Sequence, residues 1–183
     1  MTREYIITMT AENRVGILAA VTNAMTELGA DLVECSQTVV SGYFTMIFSA
    51  RFPENREKQV IFDHLSDACR TFGIEVTISP VNREREGAPE RENVTKRLRL
   101  SGQNSPGILR RIAVKMSINQ IDIIGMHAGR QSEERFEMVM KIAIPASFPA
   151  DELTNELQSI DAAWELRAAL EDYAEAPGFT DEQ

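Results

Sequence analysis

Apolar and polar positions along this chain follow two rhythms, and the switches between them predict its elements. Residues 5–10 form a β-favouring run, after which Ile17, Leu18, Val21, Met25 and Leu28 recur at the spacing of one helical face. Two further strand-like runs, 32–40 and 43–52, flank the turn pair Ser41-Gly42, and in the second run Phe44, Met46, Phe48 and Ala50 fall on one side. Ile61, Leu65, Ala68 and Phe72 return to helical spacing. Gly73 stands where a helix would stop, and Ile74, Val76 and Ile78 alternate again. The predicted order is βαββαβ.

The same order then returns. Residues 97–101 read as strand, 107 to about 117 as a helix carrying Ile108, Leu109, Ile112 and Met116, and 122–128 and 136–144 as strands. Leu153, Leu157 and Ile160 mark another helix. The last element is ambiguous alone, because 164–171 is rich in helix formers. Leu166, Ala168 and Leu170 correspond to Ile74, Val76 and Ile78, however, and that correspondence predicts a strand. The repeat is anchored by a signature, Asn-x-x-Gly-Ile-Leu, that begins at Asn13 and again at Asn104, 91 positions later. The offset holds as far as Leu32 and Ile123, then becomes 92 from Phe44 and Phe136 onward. One residue is therefore inserted between these points, and the hairpin turn is the predicted place, where Ser41-Gly42 faces the polar run 131–135. A fixed internal period of this kind marks a tandem of like units.

Length allows two small units: 1–82 and 95–173, joined by the polar segment 83–94 and followed by an acidic tail, 174–183. A unit of that size buries only about 60–65% of its unfolded surface, so association of copies or chains is expected. The net charge of −9 opposes direct nucleic-acid binding. Arg97, Arg99, Arg110, Arg111, Lys115 and Arg130 concentrate positive charge in the second copy and read first as solvated faces. No stretch is long and apolar enough for a membrane helix and no leader is recognisable, so a cytoplasmic protein without membrane contact is expected. Cys35 and Cys69 lack metal or redox spacing and read as buried reduced thiols.

His64 and His127 occupy non-corresponding positions, and surface placement explains both. With no phosphate loop, metal-binding helix or nucleophile elbow in the chain, no catalytic residue, metal ligand or cofactor is predicted. The place with a local reason to bind is the loop from first strand to first helix: Asn13, Arg14, Val15, Gly16 and Ile17, and again Asn104, Ser105, Pro106, Gly107 and Ile108. Unpaired amides at a helix start suit a carboxylate, and glycine lets a ligand approach the backbone. The same residues also suit a purely structural start, with Asn or Ser capping and Pro106 in the first turn. Both readings stand at this point.

At these residues the chain resembles tandem ACT-domain proteins, and most closely the family of the glycine cleavage system transcriptional repressor. That family's loop reads approximately Gly-x-Asp-Arg-Pro-Gly-Ile. Here it is matched by Ala11-Glu12-Asn13-Arg14-Val15-Gly16-Ile17 and by Gly102-Gln103-Asn104-Ser105-Pro106-Gly107-Ile108. The stretch Phe136-Glu137-Met138, then Ile144-Pro145, then Leu153 and Leu157 also resembles the family's second copy. Both loops carry Asn where the family pattern has Asp, and Asp31 and Asp122 stand where it usually has Asn.

The resemblance implies an α+β fold of two ferredoxin-like βαββαβ domains in tandem, each an antiparallel sheet with helices on one face. It implies a non-enzymatic regulator that senses a small amino acid, glycine among the candidates, at these loops. Such a protein would form homo-oligomers and act on glycine cleavage gene expression through a partner regulatory protein. The competing readings are a constitutive interaction module without a ligand, a single-stranded RNA binder, for which the basic aromatic motif is missing, and a regulatory fragment detached from a formyltetrahydrofolate hydrolase.

Overall fold

The computed structural model describes residues 2–81, 92–160 and 164–173, and they fall in two units, Met1–Ala88 and Pro89–Gln183. Most of the segment 83–94 and all of the tail 174–183 lie outside the described residues. The first unit runs β1 (Thr2–Glu12), α1 (Ile17–Glu27), β2 (Asp31–Val40), β3 (Tyr43–Pro53), α2 (Lys58–Ala68) and β4 (Glu75–Pro80). A 3₁₀ turn, Arg70–Phe72, follows α2, and Gly73 with φ 62° releases the chain into β4. The second unit repeats the order with β5 (Asn93–Gln103), α3 (Ile108–Ile118), β6 (Asp122–Arg130), β7 (Arg135–Pro145), α4 (Ala150–Gln158) and β8 (Arg167–Asp172). The ambiguous last segment is a strand, and β5 starts at Asn93, inside the segment expected to connect the units.

Both sheets are antiparallel, ordered β2-β3-β1-β4 and β6-β7-β5-β8. One face of each carries the helices, because alternate residues there are large and apolar. Ile7 pairs with Phe48 and Met9 with Met46, all four buried, and Ile17, Val21, Ala24 and Met25 of α1 cover them. Leu18 is half-exposed, contrary to its place in the expected helical stripe. It lies one residue, or about 100°, past Ile17, and Ala24 fills the stripe instead. In the second unit Leu98 and Leu100 pair with Met140 and Met138 beneath Ile112, Met116, Leu153 and Leu157. Lys115 of α3 and Asn119, the residue that caps its C-terminus, both reach Glu156 of α4, and these contacts, the Asn119 hydrogen bond first, hold its carboxyl below the ordinary range.

The two hairpins show where the copies differ in length. Val40 pairs with Tyr43 across the two residues Ser41-Gly42, both at positive φ, the primed-turn conformation that suits strand twist. In the second unit the Gln131 N–H donates to the Arg135 carbonyl at 2.9 Å, enclosing residues 132–134. The extra residue therefore sits at the hairpin tip. The bulges correspond too: register shifts between Leu32 and Glu34 and between Ile123 and Gly125, which set Val33 and Ile124 in equivalent, exposed places.

Strand β2 is exposed along all ten residues, as an edge strand that the helices do not reach. Cys35 lies on it and is exposed, against the expectation of burial, while Cys69 at the end of α2 is buried and its thiol pKa is raised by that burial.

Gly102 has a packing reason that its counterpart lacks. A Cβ there would lie 2.8 Å from the Trp164 carbonyl oxygen and 3.3 Å from the Leu166 Cα, whereas the first unit holds Ala11 at the equivalent position. Backbone cannot swing aside as a side chain does. Gly102→Ala is expected to destabilise the second unit by about 1–3 kcal/mol in urea unfolding, and an unchanged midpoint would show that the strand yields.

Candidate functional site

The two signature loops share one backbone design. Leaving β1, the Asn13 N–H donates to the Gly42 carbonyl at 2.8 Å, and leaving β5, the Asn104 N–H donates to the Glu134 carbonyl at 2.7 Å. Each loop is thus tied to the tip of its own hairpin. A turn follows, with the Ile17 N–H directed to the Arg14 carbonyl (3.5 Å) and the Ile108 N–H to that of Ser105 (3.3 Å). Gly16 (φ 100°) and Gly107 (φ 87°) then occupy the N-cap positions in left-handed conformation, with no side-chain capping bond. Asn13, Asn104 and Ser105 are therefore not caps, and Pro106 precedes the cap rather than entering the first helical turn. The first intrahelical donors are Ala20, to the Gly16 carbonyl, and Arg111, to the Gly107 carbonyl. The amides ahead of them have no intrahelical acceptor and carry the positive end of the helix dipole.

The side chains around these loops differ. In the first copy Asn13, Arg14, Val15 and Gly16 are exposed, Arg14 pairs with the neighbouring Glu12 at 3.0 Å, and Ile17 turns into the core. In the second copy Asn104, Ile108 and Leu109 line one side of an open cleft of about 290 Å³, and Ala128, Gly129, Arg130, Phe136 and Met138 line the other. Ser105, Pro106 and Gly107 shape the turn without lining it. Near its end β6 carries the small residues Ala128 and Gly129 at this cleft, then Arg130. At the equivalent β2 positions stand Gln37, Thr38 and Val39, so the first copy has no counterpart of the Arg130 cation there.

The sequence pattern points to Asn104 and Ile108 at this place but not to Ala128, Gly129 or the pocket role of Arg130. The signal was available in the register: Ala128 pairs with Met138 and Arg130 with Phe136, on the helix-bearing side. The six cations noted in the second copy do not form one surface. Arg97 and Arg99 stand on the helix-free face beside Glu171, Arg110, Arg111 and Lys115 ride on α3, and Arg130 lies at the cleft. His64 binds Glu27 across α1 and α2 at 2.8 Å, and His127 is exposed on β6. Among the described residues no helix is long and apolar enough to cross a membrane.

Each unit is a ferredoxin-like βαββαβ layer with a glycine-started helix beside its hairpin, and the chain is a tandem of two such modules. The chain belongs to the ACT-domain family, whose description matches residues 4–79. It is 37% identical over 75 residues to a UPF0237 protein of Methanosarcina acetivorans, an alignment covering 40% of this chain and 82% of that protein. A UPF0237 protein of Lactococcus lactis is 30% identical over 73 residues, covering 40% of this chain and 83% of the relative.

The fold likeness extends over both units. A crystal structure of an unknown protein from Galdieria sulphuraria has a TM-score of 0.78 at 17% identity, covering 95% of this chain and 100% of that one. A structure bearing the name of a glycine cleavage system transcriptional repressor has a TM-score of 0.64 at 13% identity, covering 93% and 96%.

The backbone geometry separates the roles within the loop. Gly16→Ala and Gly107→Ala are each expected to cost about 1–2 kcal/mol, because an L side chain is strained at these φ values even where space is open. Ser105→Ala is expected to stay within about 0.5 kcal/mol, since Ser105 caps nothing. Urea unfolding of the three variants measures both.

Proposed function

We propose that the chain is a non-enzymatic, amino-acid-sensing regulator whose ligand binds in the cleft beside the second signature loop. The observation that carries this reading is the convergence at one cleft of three kinds of group. Amides at the start of α3 and the Arg130 guanidinium suit a carboxylate, Asn104 offers an amide oxygen to an ammonium group, and Phe136 and Met138 give an apolar wall. The family is a regulatory one, and amino-acid binding is what such a cleft can do chemically. Glycine is the first ligand to test, because a fold relative bears the name of a glycine cleavage repressor. Control of gene expression would then pass through a partner regulatory protein, since the net charge of −9 opposes direct contact with nucleic acid. In this reading the first loop, with Gln37 and Thr38 beside it, is a structural turn, and the active form is a homo-oligomer.

The test is thermal unfolding with glycine and a panel of other amino acids. A ligand held only by the native state at about 100 times its dissociation constant adds about 2.7 kcal/mol of apparent stability. The expected result is an upward shift with at least one amino acid that Arg130→Ala and Ala128→Gln abolish and Thr38→Gly leaves intact. No shift with any amino acid at saturation would leave the alternative, a constitutive interaction module, in its place.

A further inference from the structure

The outer face of α3 carries chemistry that its counterpart α1 lacks. At the repeat offset of 91, Arg110, Arg111, Val114, Lys115 and Ile118 stand where α1 has Ala19, Ala20, Asn23, Ala24 and Glu27. Val114 and Ile118 lie one helical turn apart and are 49% and 71% exposed. Ile160, just beyond α4, completes an open groove of about 340 Å³ with these two residues, and Arg110, Arg111 and Lys115 form the rest of its lining. That lining holds three cations and no carboxylate. Two of the cations are fixed in place: the Arg111 guanidinium lies 4.9 Å over the ring of the buried Trp164, and Lys115 pairs with Glu156 at 3.1 Å. Of the α4 carboxylates, Glu156 is engaged by Lys115 and Asn119, and Glu152 stands about two helical turns before Ile160. Asp161 lies outside the described residues.

We infer that this groove takes an acidic amphipathic helix of a partner protein, which lays apolar side chains over Val114 and Ile118 and sets carboxylates against Arg110 and Arg111. Recognition of a helix in a groove uses apolar anchors about one turn apart, the spacing that Val114 and Ile118 present. Charge selects the partner. At physiological salt the screening length is about 8 Å, so the cations of the lining, and not the chain's net charge of −9, set the field in the groove. A guanidinium meets a carboxylate through two parallel N–H donors. Arg111 is already ordered by Trp164, so it loses less freedom when such a partner binds. The inference rests on the reading that the chain acts through a partner protein, and it gives that partner a docking surface. It does not depend on the ligand cleft, with which the groove shares no lining residue.

The test is fluorescence anisotropy of a labelled synthetic peptide titrated with the full chain. The peptide is a helix of about 15 residues in which leucines recur at i, i+4 spacing among glutamates and alanines. The expected result is saturable binding that weakens at least about tenfold when lysines replace the glutamates, a comparison that needs no variant of the protein. Val114→Asn/Ile118→Glu, which copies the residues that α1 carries at the same places, is expected to weaken binding of the acidic peptide at least about tenfold. Arg110→Ala/Arg111→Ala is expected to do the same. No saturable binding below about 1 mM, equal binding of the lysine peptide, or full binding by Val114→Asn/Ile118→Glu overturns the inference. Amino-acid thermal shifts report separately on the ligand reading: a peptide that binds a chain no amino acid stabilises supports this surface and removes only that reading.

Discussion

Each unit depends on how the chain leaves its first strand. Two constraints act within five residues: a backbone hydrogen bond ties Asn13 or Asn104 to the hairpin tip, and a left-handed glycine turns the chain into the first helix. The tie fixes where the loop starts and the glycine fixes where the helix starts. Together they aim Ile17 and Ile108 at the sheet. Because the glycine supplies the conformation and no side chain supplies a cap, the first-turn amides keep no partner within the helix. The same geometry that starts the helix leaves the donors that the proposed ligand site uses.

What is made of that place differs between the copies, and the difference lies across the cleft rather than in the signature. The loops match in conformation. Ala128, Gly129 and Arg130 on one edge strand line the cleft, and Gln37, Thr38 and Val39 stand at the equivalent positions of the other. The helix-free faces differ as well: the central strand pairs carry Arg97, Arg99 and Lys141 in the second unit, and Ile6, Thr8, Ile47 and Ser49 in the first. A duplicated scaffold has in this way been given two different surfaces.

Much of the architecture was legible because the repeat carried information that local pattern lacked. Residues 164–171 favour a helix by propensity, yet register with the first copy made them a strand, and strand pairing of Leu98 with Leu170 agrees. The one-residue offset between Leu32 and Phe44 located the insertion that the structure places at 132–134. Exposure was less legible. Leu18 and Cys35 look buried from residue type, but depth depends on helix rotation and on whether a strand lies at a sheet edge. The cleft was only half visible, since its decisive feature is small side chains on a strand that meets the loop through register alone. Asn and Ser looked like caps because propensity records side-chain preference, while the chain used a glycine's backbone freedom.

The ligand site proposed here lies at the second signature loop and not at the first. Amide chemical-shift mapping of the full chain during titration with glycine and other amino acids tests it most directly. Saturable shifts gathered at Leu109, Gly129 and Arg130 are expected, with Leu18, Thr38 and Val39 unmoved. Shifts that appear equally at both loops, or that gather away from the second one, would contradict it.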